Sequence, residues 1–110
     1  MARSDRESLA TQWAELANLH PDELADWLET DASWAVGYKG YGEESVGHAA
    51  GRRIVDLLEA DRGSWSDEDW ALVRKAVGVI RRHRAQWPEG DVTDTRWRHA
   101  LMNWGHDPLR

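Results

Sequence analysis

The sequence predicts an all-α protein: a compact single-domain bundle of about five helices with one long glycine-rich loop. Three observations carry that expectation. Apolar residues recur at three- and four-residue spacing in several stretches. Helix start and stop residues bracket those stretches. No stretch alternates apolar and polar residues as a half-buried strand does. At 110 residues the chain is one domain, residues 1–110, long enough for one hydrophobic core.

The first helix is expected to begin at Ser4, which with Glu7 fits a capping box, and to turn Leu9, Trp13 and Leu16 inward. It should stop near Leu19, because Pro21 disfavours helical backbone at His20. Pro21 then suits the first position of a second helix, with Asp22 and Glu23 in its electropositive first turn and Leu24, Trp27 and Leu28 as its stripe. From Asp31 to Gly51 the pattern breaks. Gly37, Gly40, Gly42, Gly47 and Gly51 fall here with Trp34, Tyr38 and Tyr41, so a long loop is expected. A third helix runs from His48 or Gly51 to Ala60, with Ile54, Leu57 and Leu58 inward. The fourth has the strongest start: Ser66 as cap, Asp67, Glu68 and Asp69 behind it, and Trp65 stapled to Trp70. Its buried stripe is Trp70, Val73, Val77 and Ile80, and it ends near Gln86 before Pro88. The fifth spans Asp94 to Trp104 with Trp97, Leu101 and Trp104 on one face. Gly105 suits a left-handed terminating residue, and Pro108 prevents continuation.

Composition limits the function. Leu, Ile, Val and Phe number only 19, or 17% of the chain, but there are eight tryptophans. Each buried tryptophan removes ~200 Å² from water, so they can supply the core that the aliphatic count understates. Cysteine is absent, which excludes disulfides and thiolate metal sites. Acids interrupt the first residues where a signal peptide would be apolar, and no apolar run approaches the ~18 residues of a membrane span. A soluble, cytoplasmic protein with no membrane association is expected.

The net charge is −6, yet it is unevenly placed. Residues 1–50 hold three basic and ten acidic side chains, whereas residues 51–110 hold eleven basic and ten acidic. The stretch Arg74 to Arg84 carries six positive charges if His83 is protonated. At about 100° per residue from Arg74, Lys75 falls at about 100°, Arg81 at about −20° and Arg82 at about 80°, with Gly78 at about 40° among them. These cations share one exposed sector. A strip of cations around a residue without a side chain would let a phosphate backbone approach closely. The same run also fits a solvated face, or one paired with the acids of helices one and two.

Other stretches bear on that choice. Arg96 and Arg98 flank Trp97 toward solvent while Trp97 belongs to the core, and the loop Gly37 to Gly42 offers Tyr38, Lys39 and Tyr41. The histidines at 20, 48, 83, 99 and 106 form neither an HxxxH pair nor HExxH. No glycine-rich phosphate loop and no Gly-x-Ser-x-Gly is present. No enzyme, metal site or cofactor is therefore expected.

Gly51-Arg52-Arg53-Ile54-Val55, the Arg74-Lys75 to Arg82-His83 helix, Pro88-Glu89-Gly90-Asp91-Val92 and Asp94-Thr95-Arg96-Trp97-Arg98 form a recognisable series. Leu101-Met102-Asn103-Trp104-Gly105-His106-Asp107-Pro108-Leu109 ends it. Together they resemble an uncharacterised family, domain of unknown function 3140. The resemblance implies no established activity or site residue, but some members carry a DNA-binding label. The family pattern holds more lysine near Gly47 to Gly51 and after helix three. Here Ala49, Ala50 and Glu59-Ala60-Asp61 stand at those places.

The expected function is nucleic-acid binding, to duplex DNA through its phosphates and without sequence specificity. Arg52, Arg53, Arg74, Lys75, Arg81, Arg82 and Arg98 would supply charge, and Gly78 close approach. The alternative is a protein-interaction or self-association module in which helices one and two, with the Trp34 to Tyr41 loop, dock a partner or a second copy. A small-molecule pocket lined by tryptophans is a third option.

Overall fold

The computed structural model describes residues 3–40 and 42–110, with the side chains of Arg3 and Ser4 outside that description. Among the described residues, six α-helices make one all-α domain: α1 Arg3–Leu16, α2 Pro21–Leu28, α3 Asp31–Ala35, α4 Val46–Glu59, α5 Asp67–Arg84 and α6 Arg96–Asn103. A single 3-10 turn, Arg62–Ser64, joins α4 to α5. Helix α1 lies along α5, α2 lies along α4, and α6 closes across α2, α3 and α4. Leu24, Ile54, Val73, Ala76, Ile80 and Leu101 are fully buried where these helices meet.

Local signals set most boundaries. Helix α1 already runs at Arg3, and the capping box expected at Ser4 lies outside the described residues. It ends at Leu16, before the expected Leu19, because the C-terminal segment captures the backbone there. The Gly105 carbonyl accepts from the Asn18 and Leu19 N–H groups at 3.1 and 3.3 Å, and His106 Nδ1 lies 2.6 Å from the Leu16 carbonyl. At α2 the cap is His20: its Nδ1 accepts from Asp22 N, its own N–H donates to Glu23 Oε1, and Pro21 takes the first turn. Ser66 and Asp69 complete the reciprocal box of α5, and Trp65 meets Trp70 edge-on at 4.9 Å. Helix α6 starts later than Asp94, since it is Thr95 whose hydroxyl accepts from Arg98 N.

The region from Asp31 to Gly51 differs most from expectation. Thr30 Oγ1 accepts from Ser33 N and starts the short helix α3, while Ser45 Oγ accepts from His48 N and starts α4. The loop is thus residues 36–45, with positive φ at Gly37 and Gly40, and Tyr41 within it lies outside the described residues. Gly47 and Gly51 belong to α4. A Cβ built on Gly51 would lie 2.5 Å from the Asn103 carbonyl oxygen, and one on Gly47 would lie 2.9 Å from Trp104 Nε1. Gly51 lets α4 meet the α6 backbone, and Gly47 makes room for the Trp104 indole.

Asn103 is the polar centre of that junction. Its buried Oδ1 accepts from Trp27 Nε1 at 2.7 Å and from Ser33 Oγ at 2.5 Å, and its Nδ2 donates to the Ser33 carbonyl. The tryptophans divide. Trp13, Trp70 and Trp104 are buried, Trp27, Trp65 and Trp97 lean on the core half-buried, and Trp34 and Trp87 are the most exposed at 41% and 44%. The core therefore rests on aliphatic side chains more than tryptophan content alone implies.

Candidate functional site

Helix α5 presents the cationic strip as its sequence arrangement requires. Leu72, Val73, Ala76, Val77 and Ile80 bury its other side, so Arg74, Lys75, Arg81 and Arg82 are left exposed. Among the described residues, Lys75, Arg81 and Arg82 have no carboxylate partner, and neither does Arg53 on α4.

Four other guanidiniums, Arg6, Arg52, Arg98 and Arg110, are matched by carboxylates. Arg6 meets Asp67 at 2.8 Å and lies over the Trp70 ring, tying α1 to the start of α5. Arg52 Nε donates to Glu44 Oε2 at 2.9 Å, and a second nitrogen reaches Oε1. Burial pushes the Glu44 carboxyl up, but donation from Arg52 and His48 outweighs it and holds the group below its ordinary range. Arg110 forks onto Glu23, whose carboxyl falls to about 2 under that hydrogen bonding and the His20 N–H.

Arg98 corrects an expectation. It does not reach into solvent beside Trp97; Nε and one terminal nitrogen grip Asp107 at 3.0 and 2.9 Å, and the other donates to the Thr93 carbonyl. Its side chain retains 20% exposure and that of Asp107 only 8%. Hydrogen bonding from Arg98 depresses the Asp107 carboxyl, and Asp107 in turn raises the guanidinium. Spacing along a helix could not reveal this, because the partner lies beyond the helix end.

Gly78 also differs from its expected role. The Arg82 guanidinium folds back one turn and occupies the gap, with Nη1 3.0 Å from where a Cβ would sit. The strip has no bare backbone at its centre; the tip of a cation lies over it. His83 is half-buried, and desolvation lowers its pKa, so it does not add a sixth charge at neutral pH. Arg84 points elsewhere, to His106 Nε2 and over the Trp87 ring.

The other histidines are structural. His48 is buried between Glu44 Oε2 at 2.5 Å and the Leu28 carbonyl at 2.7 Å, with the Trp34 ring tilted over it at 3.9 Å. His106 links Leu16 to Arg84. Among the described residues, no cluster of three or more His, Cys, Asp or Glu could hold a metal ion, and no helix is long and apolar enough to cross a membrane.

Fold and surface thus define a small all-α domain with a cationic helical face. The chain belongs to the family described as protein of unknown function (DUF3140), whose model matches residues 12–102. Neither curated proteins nor solved structures give a match. The segment from Leu101 to Asp107 does architectural work in this fold. Leu101 fills the core, Asn103 gathers α2 and α3, and Trp104 seats on Gly47. Gly105, at φ +88°, turns the chain toward Asn18, and Asp107 neutralises Arg98.

Proposed function

We propose that this protein binds nucleic acid through the phosphate backbone, duplex DNA in particular and without base readout, and that it is not an enzyme. One observation carries the reading: Lys75, Arg81 and Arg82 stand together on the exposed side of α5 with no carboxylate beside them, in a chain whose net charge is −6 and whose Arg6, Arg52, Arg98 and Arg110 are each paired with a carboxylate. An acidic protein that leaves adjacent cations unneutralised keeps a local field that attracts a polyanion. Arg53 extends the strip from α4. Arg52 and Arg98 do not join it, since each would have to leave a bidentate carboxylate first.

Three phosphate contacts give a slope of about −2.7 in log affinity against log salt, so raising salt from 50 to 200 mM should weaken binding about 40-fold. The test is electrophoretic mobility of duplex DNA of mixed sequence at the two salt concentrations. The Arg81→Glu/Arg82→Glu variant should shift no DNA while melting as the parent does. Absence of any shift by the parent protein at 50 mM salt and tens of micromolar protein would end this reading.

A further inference from the structure

Helices α4 and α5 splay apart on the side away from α1 and leave an open trough of about 580 Å³ between them. It continues past Trp104 into a second hollow of about 400 Å³ against α6, and the two share Val46, Lys75 and Trp104. The floor is apolar: Ala49, Ala50, Leu72, Val79 and Trp104. Tyr38 and Val46, two of the large apolar side chains that stand in solvent at 78% and 42% exposure, form its lip. Its charged lining is Arg53 and Lys75 against one acid, Glu68, with His83 held toward its neutral form at the far end.

We infer that this trough is a docking groove for an amphipathic helix of another protein, one whose apolar stripe is edged by Asp or Glu. Shape and charge both select that occupant. The α5 wall from Glu68 to His83 extends about 22 Å at 1.5 Å per residue, the length of about four helical turns. Alanines at 49, 50 and 71 leave room for a helix axis to approach as closely as packed helices do. An apolar stripe would cover Leu72, Val79 and Trp104, and the flanking acids would reach Lys75 and Arg53, which no carboxylate of the described chain occupies. A phosphate backbone would gain nothing from that floor. Both readings use Lys75 and Arg53, but only docking needs the apolar floor, so Ala71→Trp should abolish helix docking and spare polyanion binding on Arg81 and Arg82.

The test is selection from a displayed library of helical peptides of about 16 residues, panned on the full chain. Enriched sequences should carry large apolar residues at i, i+3, i+4 and i+7 with acids beside them. Lys75→Glu should weaken a selected peptide by about tenfold or more, Lys75→Arg should retain it, and Ala71→Trp should plug the groove and abolish it. Circular dichroism melting of each variant separates loss of binding from loss of fold. Several outcomes would overturn the assignment: no enrichment, enriched sequences without acids, or binding indifferent to Lys75→Glu and Ala71→Trp. So would dimerisation of the chain that Lys75→Glu abolishes, which would give the groove to a second copy. DNA binding abolished by Ala71→Trp would give it to nucleic acid instead.

Discussion

Replacing Gly51 by alanine sets two opposing effects against each other at one atom. Alanine in a helix interior is favoured over glycine by ~1 kcal/mol, so local propensity alone says that the variant is more stable. The added Cβ, however, would sit 2.5 Å from the Asn103 carbonyl oxygen and 2.8 Å from Leu28 Cδ2, where ordinary contact begins at 3.4 Å. The carbonyl cannot rotate aside, because Asn103 is held by Trp27 and Ser33. Helix α4 must therefore move away from α6, and overpacking of this kind costs about 1–3 kcal/mol, here toward the upper end. Net destabilisation of about 1–2 kcal/mol follows after the propensity gain, a fall of about 4–8 °C in melting temperature for a domain of this size. Gly78→Ala is the internal control. There the new Cβ meets only the movable tip of Arg82, at 3.0 Å, so propensity prevails and stability rises by up to ~1 kcal/mol. Urea denaturation followed by tryptophan fluorescence measures both. A Gly51→Ala protein as stable as the parent would refute the close α4–α6 contact.

Other perturbations reach different parts of the fold. Asp107→Asn leaves Arg98 without its counter-charge in a mostly buried setting and should cost about 2–4 kcal/mol in urea unfolding, discounted because Arg98 keeps some exposure. Stability should fall as pH drops below ~6.5, since burial lowers the pKa of His106 and of His83 below the ordinary histidine value that the unfolded chain retains. The unfolded state then binds the extra protons, so this contribution is present above pH ~6.5 and lost on acidification toward the folded pKa values. His106→Asn, which keeps an N–H for the Leu16 carbonyl but has no titrating ring, should flatten the slope between about pH 7 and 5 in a series of thermal melts.

Much of this architecture is written locally. Ser66, Asp69 and the Trp65–Trp70 staple fix the start of α5, Pro21 fixes that of α2, and Gly105 ends α6, each through contacts a few residues apart. What the sequence conceals depends on distant partners. Helix α3 is only five residues long and persists because Ser33 bonds Asn103, 70 positions away. Gly47 and Gly51 read as loop residues until α6 is laid against them. The cationic strip was legible because its phase follows from helix geometry alone. Which cations remain unpaired was not, since Glu44 and Asp107 claim Arg52 and Arg98 from beyond their helices. The Arg82 guanidinium over Gly78 is a neighbour at i+4, and that spacing could have announced it.

The ties that Gly105, His106 and Asp107 make to Leu16, Asn18 and Leu19 join positions about 90 residues apart. A chain emerging from the ribosome cannot secure the end of α1 until Gly105, His106 and Asp107 are free to return to it. Until then Trp13 and Leu24 lack the cover that Gly105 provides, so the stretch of chain made before it waits with one side of its interior unsealed.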